Sequence, residues 1–415
     1  METIPPQYTE TLDINNFMSI KKFYWEIKPF NIITGDMASG KSLCMKLLYF
    51  FENIFISSML LSMNFSKKLF ENGNFYDQLS NKFMDYFYLK DNTGQKFCIT
   101  YNFKANGSNF NISVTGENSG EKKFVWKCDY LEEQLIKWSS YFKAETPDMA
   151  QEVRIRIHEE IKHDFIDKLP IETIFIPATR AALTVADIDH FKDLFLREFY
   201  LDKNYLLSKF GTSLSKELTD VLHVKNIKKN PGDENDVLFE LTDKRIVPSL
   251  FSSSGQQELV YLLLFMEKLP EVKFNYGTML SLFFEEPSAH LFPEEQKKLI
   301  ECIIVFFRRK KELETRFFIS THSPYVLDSL NNILKKGAMI DKYKEQEDII
   351  NKEINIPHLM SSEISAWFIN NEGTAENMLD GNEKYLYADK IARISEAINE
   401  DTIKLKELNN KLISK

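Results

Sequence analysis

The chain has 415 residues, of which 43% are hydrophobic and 27% charged, and its formal net charge is −9. These values are typical of a soluble globular protein with one large or two to three smaller domains, and the acidity argues against a surface built mainly for nucleic acid. We expect a cytoplasmic protein, because no apolar run is long enough to span a membrane, no secretory signal opens the sequence and the four cysteines form no CxxC pair.

The first motif follows three predicted strands. Alternating apolar residues predict strands at Thr11–Phe17 and Lys22–Lys28, and a third strand, Phe30–Thr34, runs directly into the octapeptide GDMASGKS. This octapeptide, Gly35–Ser42, fits the pattern G-x-x-x-x-G-K-[ST], and a helix is predicted from Lys41. The strand and helix on either side are the context that a phosphate-binding loop requires.

In a loop of this kind, successive backbone N–H groups and the helix N-terminus surround a phosphate. We predict that Lys41 reaches the β- and γ-phosphates of ATP and that Ser42 binds Mg²⁺. Ala38 would be strained if the loop required a positive φ at that position. The residues predicted to bind ATP are Gly35, Asp36, Met37, Ala38, Ser39, Gly40, Lys41 and Ser42.

Coarse patterns predict the elements between this loop and residue 250. They are, in order, an insertion over residues 57–170 with a β-meander at about 85–130 and charged helices at about 130–168, a strand at Ile171–Pro177, helices from Asp187 to about Val224, and a polar loop at Lys228–Asp236.

A serine-rich segment, LFSSSGQQELVYLLL, precedes an apolar helix at Leu250–Leu264. Ser254 and Gln257 have the spacing of a capping box, in which each side chain bonds a free backbone N–H of the first turn. A helix N-terminus with serine hydroxyls also binds anions. Taken alone, the segment therefore leaves two interpretations, a helix cap and half of an ATP site.

Two adjacent acids end the next predicted strand, Thr278–Glu286, whose apolar run is typical of a strand buried on both faces. Open α/β sheets bind ligands at the carboxyl ends of their strands, and unpaired buried carboxylates are costly, so a purely structural role is disfavoured. We predict that Glu285 holds the Mg²⁺ shell and that Glu286 orients the attacking water or accepts its proton.

A second buried strand, Arg316–Ser320, is followed by His322, and the helix between the two strands begins at Pro293. A lone histidine is more often structural, but its place at the same sheet edge favours a catalytic role. Beyond it the sequence predicts a hairpin around residues 371–373 and a helix at Tyr387–Lys411.

These four motifs stand in the order found in ABC-type ATPases, and the pattern resembles the SMC/RecF-like branch, including the ATPase modules of OLD-type phage-defence proteins. The resemblance covers roughly Thr11–Ile56 and Ile171–Asp380. Further segments similar to that branch are LDINNFMSIKKF at Leu12–Phe23, IFIPATRA at Ile174–Ala181 and EEPSAHLFP at Glu285–Pro293.

The resemblance implies an α/β head with a mixed sheet, antiparallel N-terminal strands, a helical lobe and an inserted region. Two subunits would close head to tail over two ATPs, with Ser253, Ser254, Gly255 and Gln256 contacting the ATP of the other subunit. The family's Q-loop glutamine has no assigned position. The expected parts are 1–56 with the phosphate loop, the insertion 57–170, the helical lobe and connecting strands 171–249, the remaining motifs 250–335, and the C-terminal hairpin and helix 336–415.

Three functions follow from the resemblance. The first is a regulatory ATPase of an antiviral defence system; OLD-type proteins often continue into a Toprim nuclease, and because no acidic DxD motif follows here, we expect a separate nuclease or toxin as effector. The second is a RecF-like DNA-repair ATPase that would contact nucleic acid. The third is a scaffold whose oligomer is fixed by ATP. All three imply ATP, Mg²⁺, at least a homodimer and no membrane.

Overall fold

The computed structural model describes most of the sequence. The described residues are 8–63, 74–87, 94–105, 107–117, 124–139, 170–178, 214–230, 233–248, 251–257, 279–309, 314–379 and 385–386, with the single residues 152, 156, 160, 163, 164, 259, 266 and 404.

The described strands fall into three sheets. In chain order they are Tyr8–Phe17 (β1), Ile20–Glu26 (β2), Phe30–Gly35 (β3), Lys96–Ala105 (β4), Ser108–Glu117 (β5), Val125–Lys127 (β6), Pro170–Ile176 (β7), Val224–Asn230 (β8), Asp233–Leu241 (β9), Ile246–Pro248 (β10), Met279–Glu285 (β11), Glu314–Ser320 (β12), Ile364–Ile369 (β13) and Ala375–Asn377 (β14).

Helices cover both faces of the central sheet. Over the whole described part of the chain, the α-helices with defined bounds are Lys41–Met63 (α1), Asn74–Phe87 (α2), Asp129–Ser139 (α3), Lys216–Leu222 (α4), Pro293–Arg309 (α5), Pro324–Lys342 (α6) and Glu347–Glu353 (α7). No helix of the described residues is long and apolar enough to cross a membrane.

The central sheet has six strands in the order β14-β13-β3-β12-β11-β7. The strands from β13 to β7 are parallel, and β14 pairs antiparallel with β13. Strand β11 is buried along its whole length, with Leu282 and Phe284 facing the core under α5 and α6 and Phe283 facing the core around α1. This two-sided burial explains why its sequence is a continuous apolar run.

A five-stranded antiparallel sheet, in the order β2-β1-β4-β5-β6, lies on the α1 side of the central sheet. The predicted meander is confirmed as β4–β6, and its first strand pairs with β1 from Tyr8↔Ala105 to Asn15↔Cys98. The N-terminal strands and the meander therefore form one sheet. Together with the parallel central sheet, it confirms the predicted α/β class with a mixed arrangement of strands.

The third sheet, in the order β10-β9-β8, corrects one prediction. The segment Lys228–Asp236, predicted as a polar loop, contributes to both strands of the β8–β9 hairpin. Polar side chains of this hairpin pair across its two strands, since Lys228 Nζ and Asn226 Nδ2 lie 2.9 Å and 3.0 Å from Glu240 Oε2. Such cross-strand pairs stabilise a strand whose sequence is that of a loop.

The predicted strands are confirmed to within three residues at each end for Thr11–Phe17, Lys22–Lys28, Ile171–Pro177 and Arg316–Ser320. The C-terminal hairpin is confirmed as β13–β14, although β13 also pairs in parallel with β3, which the sequence did not indicate. The predicted helix at Tyr387–Lys411 lies almost entirely outside the described residues.

Candidate nucleotide-binding site

Three neighbouring parallel strands bring the predicted site residues to one edge of the central sheet. Strands β3, β12 and β11 are adjacent, with Ile33 opposite Ser320 and Ser320 opposite Glu285. Because parallel strands end on the same side, the phosphate loop, His322 and the two glutamates all emerge at this edge. Sequence motifs separated by nearly 300 residues thus meet in one place.

The phosphate loop between β3 and α1 depends on two glycines. Gly35 and Gly40 have φ values of 150° and 106°, and a Cβ at Gly35 would clash with the carbonyl oxygen of Ile369. Ala38 has a φ of 58°, the left-handed conformation that costs a non-glycine residue about 1–2 kcal/mol. The strain anticipated at Ala38 is therefore present in the loop, next to the exposed side chain of Met37.

The Lys41 side chain is folded into the loop and only 5% exposed. Its ammonium donates hydrogen bonds to the carbonyl oxygens of Gly35 at 3.1 Å and Asp36 at 2.7 Å. Burial lowers the pKa of Lys41, and the negative charges of Glu286 and Asp36 raise it in part. Two carbonyl oxygens therefore hold the Lys41 ammonium at the sheet edge, and phosphate oxygens could take their place.

Two hydroxyls at the loop have no hydrogen-bond partner within the described part of the chain. They are Thr34 Oγ1, at the end of β3, and Ser39 Oγ, and both side chains are almost fully buried. Buried polar atoms are rarely left unpaired. This unsatisfied polarity fits a loop shaped to surround a polar ligand.

Glu285 is 6% exposed, and its Oε2 accepts a hydrogen bond from the backbone N–H of Ala178 at 3.1 Å. Ala178 lies in the segment Ile174–Ala181, but its contact with Glu285 was not predicted, because a backbone donor needs no particular side chain. No cluster of three His, Cys, Asp or Glu side chains able to hold a metal is found among the described residues. One carboxylate with the half-buried hydroxyl of Ser42 fits Mg²⁺ bound mainly through phosphates and water.

Glu286 and His322 face each other across the ends of β11 and β12. Glu286 Oε2 accepts the backbone N–H of His322 at 3.1 Å, and Glu286 Oε1 lies 3.4 Å from His322 Nε2. Glu286 has a φ of 46°, and its backbone N–H is bonded to the carbonyl oxygen of Ser320 at 3.0 Å. A strained glutamate directed to a half-exposed histidine is an arrangement typical of functional sites.

His322 is fixed from both sides along the chain. The backbone N–H of Thr321 is bonded to the carbonyl oxygen of Ile33 at 3.1 Å, which ties the end of β12 to β3. Ser323 then caps α6 by accepting the N–H of Val326 at 3.2 Å, and Pro324 opens that helix. These bonds hold the backbone on both sides of His322 at the sheet edge.

The serine-rich segment does cap a helix, but the capping box is one residue earlier than predicted. Ser253 Oγ accepts the N–H of Gln256 at 3.3 Å, and Gln256 Oε1 accepts the N–H of Ser253 at 3.2 Å. The predicted pair, Ser254 and Gln257, is wrong because Gln256 is also anchored to the carbonyl oxygen of Leu222 at 2.9 Å. The Ser254 side chain is left exposed.

Gly255 lies against the loop that follows Glu286. A Cβ at Gly255 would be 2.9 Å from Leu291 Cδ2 and 3.4 Å from the carbonyl oxygen of His290. The close packing explains a glycine in the first helical turn, where alanine would otherwise be favoured. The helix start and the loop after the two glutamates therefore form one surface.

A family comparison agrees with the chemistry of this edge. Residues 197–327 match the family model of the AAA ATPase domain. The matched segment, less than half of the chain, contains Ser254, Glu286 and His322 but not the phosphate loop. The match supports the interpretation of this chain as an ATPase. No curated protein matches the sequence.

Three solved structures align with most of this chain at low sequence identity. An SMC head bound to the C-winged helix domain of ScpA is 12% identical, with a TM-score of 0.41 over 89% of this chain and 96% of that one. An SMC head with an extended coiled coil, bound to the C-terminal domain of ScpA derived from Pyrococcus furiosus, is 11% identical, with a TM-score of 0.40 over 94% and 99%. The recombination mediator protein RecF of the RecFOR pathway is 16% identical, with a TM-score of 0.31 over 90% and 99%.

Proposed function

We propose that the protein is an ABC-type ATPase that hydrolyses ATP at sites shared by two subunits. The observation that carries the proposal is the meeting of the Lys41 loop, Glu286 and His322 at the ends of three adjacent strands. A phosphate-binding loop positions the nucleotide, and the carboxylate and histidine supply the groups that a water nucleophile needs.

Within one subunit, each group has a distinct task. Lys41 exchanges the carbonyl oxygens of Gly35 and Asp36 for the β- and γ-phosphates, while the loop N–H groups hold the phosphate oxygens. Glu286 orients the water and accepts its proton. His322, 3.4 Å from that carboxylate, fixes its orientation and contacts the γ-phosphate. Mg²⁺, held through Ser42 and Glu285, would neutralise charge on the phosphates.

The second half of the site is proposed to come from the partner subunit. Ser253 and Gln256 hold the helix start in shape, which leaves the exposed Ser254 side chain to face the γ-phosphate of the other subunit. Gly255, buried against Leu291, lets this helix start pack against the loop that follows Glu286. Two aromatic side chains beside this surface, Phe251 and Phe292, are each 80% exposed. Exposed apolar groups next to an anion-binding helix start support a subunit interface here.

For the biological role, we propose a regulatory ATPase of an antiviral defence system that controls a separate effector protein. The support is the order of the motifs and their resemblance to OLD-type modules, together with a net charge of −9, which disfavours extensive nucleic-acid contact. Phosphate release measured with and without duplex DNA tests this role. Stimulation by DNA would favour the DNA-repair alternative.

The substitution Lys41→Ala tests nucleotide binding. Losing one charge-assisted hydrogen bond costs about 1.5–3 kcal/mol, so we expect ATP affinity to fall by at least roughly 10- to 150-fold. Isothermal titration with a non-hydrolysable ATP analogue gives the affinity. Lys46→Ala, five residues further along α1, is the matched control and should bind ATP normally. Equal affinity for the parent and Lys41→Ala would remove the basis of the assignment.

A further inference from the structure

The turn between β13 and β14 lies directly against the phosphate loop. Strand β13 pairs with β3 up to Ile369↔Gly35, and the backbone N–H of Asp36 continues the ladder to the carbonyl oxygen of Ile369 at 3.1 Å. The turn that follows, Asn370–Thr374, closes with a hydrogen bond from Gly373 N–H to the Asn370 carbonyl oxygen at 3.0 Å.

The same turn is anchored on its other side to strand β2. The carbonyl oxygen of Gly373 accepts the N–H groups of Lys21 at 2.8 Å and Lys22 at 3.2 Å. A Cβ at Gly373 would clash with the carbonyl oxygen of Ser19, whose side chain in turn lies against Gly40 of the phosphate loop. The turn is therefore fixed by β2 and can serve as a rigid support.

Asp36 connects this support to the site. Its Oδ2 accepts the backbone N–H of Asn371 at 2.9 Å, while its carbonyl oxygen accepts the Lys41 ammonium at 2.7 Å. A carboxylate in a loop that binds triphosphate is unfavourable on charge alone. The hydrogen bond from the rigid turn gives this carboxylate a structural role. It holds in place the Asp36 backbone, whose N–H bonds Ile369 and whose carbonyl oxygen bonds Lys41.

We propose that Asp36 and the Asn370–Thr374 turn are positioning elements of the phosphate loop: the Asn371 N–H holds the Asp36 carboxylate and so keeps the loop in its phosphate-binding shape. The inference rests on the proposed function, because it assigns these groups to the same ATP site. It makes the C-terminal hairpin part of the nucleotide site, although more than 300 residues separate the two in the sequence.

The substitution Asn371→Pro removes the backbone N–H that the Asp36 carboxylate accepts. Proline is favoured at the second position of a β-turn, which Asn371 occupies, so the turn itself should persist. We expect the Kd for ATP to rise on the order of tenfold, because the loop adopts its phosphate-binding shape less often, with a slightly lower melting temperature and an unchanged kcat at saturating ATP. Asn371→Ala keeps the N–H and is the matched control.

Two changes at Asp36 separate positioning from charge. Asp36→Ala loses the acceptor and should weaken ATP binding like Asn371→Pro, whereas Asp36→Asn keeps an acceptor oxygen, loses the charge and should bind ATP at least as tightly as the parent protein. If charge alone matters, Asp36→Ala would bind more tightly, which would overturn the proposal. Normal binding by Asn371→Pro would also overturn it. Failure of the parent chain to bind ATP would instead refute the proposed function.

Discussion

Glu286→Gln is expected to slow ATP hydrolysis by on the order of 10²–10⁴-fold while ATP still binds. The amide keeps an oxygen that can accept the backbone N–H of His322, so the geometry at the ends of β11 and β12 should survive. It cannot accept a proton from water. Steady-state phosphate release gives the rate, and titration with ATP shows that binding is retained.

Glu301→Gln provides the control for this experiment. Glu301 is a partly buried glutamate on α5, where burial raises the pKa of its carboxyl and it pairs with Lys297 at 3.7 Å. The same chemical change there should leave hydrolysis near the parent rate. If Glu286→Gln hydrolyses ATP at the parent rate, Glu286 is not the proton acceptor, and His322 becomes the first candidate for that role.

Arg316→Ala is expected to lower the free energy of unfolding by about 3–5 kcal/mol. Arg316 is completely buried and bonds Glu10 on β1, Glu52 on α1 at 2.9 Å and Ser281 on β11 at 2.7 Å. Its removal leaves the buried carboxyl groups of Glu10 and Glu52 without the guanidinium that both of them bond. Urea unfolding followed by circular dichroism measures the loss.

The Arg316 guanidinium does not supply a hydrogen bond to every buried oxygen of this cluster. Burial raises the pKa of Glu52 to about 8, and Glu52 Oε2 has no hydrogen-bond partner within the described residues. Glu10 is better satisfied, since it also accepts the hydroxyl of Tyr101 at 2.8 Å. The cluster joins the antiparallel sheet, the helix that follows the phosphate loop and the strand that ends near His322. Arg316 therefore connects the elements that carry the site.

Arg308→Ala is the matched control for Arg316→Ala. Arg308 donates two hydrogen bonds to the Glu363 carboxylate, at 2.8 Å and 2.6 Å, but its side chain is 30% exposed. Ion pairs in contact with water contribute about 0.2–1 kcal/mol, so this variant should lose far less stability. If both variants lose the same free energy of unfolding, burial of the Arg316 cluster does not explain the loss. Should Arg316→Ala fail to fold, Glu10→Gln/Arg316→Met/Glu52→Gln, which removes the guanidinium and both carboxyl groups together, is expected to recover most of the stability.

The sequence predicted the parts of the site that local chemistry determines. The phosphate loop needs glycines between a strand and a helix, and β11 needs an apolar run that ends in two acids, so both could be recognised without a structure. The contact between Asp36 and Asn371 and the cluster around Arg316 depend on which strands become neighbours. That pairing is a property of the whole fold, and no local pattern encodes it.

The capping box illustrates the same limit at short range. Ser253 and Ser254 both have a glutamine three residues later, so the spacing allowed either box. The choice is made by Leu222, whose carbonyl oxygen binds the Gln256 side chain from another part of the chain. The polar β8–β9 hairpin was missed for a related reason, because Glu240 on the opposite strand pairs with Lys228 and Asn226.

The composite site is tested most directly by mixing two inactive variants. Ser254 is exposed and Ser253 provides the cap, so Ser254→Arg should change stability by less than about 0.5 kcal/mol, while Ser253→Ala should cost about 1 kcal/mol. Ser254→Arg should bind ATP through its own Lys41 loop yet fail to hydrolyse it. Mixed with Lys41→Ala, it would form dimers with one intact site, and hydrolysis should partly return. Hydrolysis at the parent rate by Ser254→Arg alone would contradict a site shared between subunits.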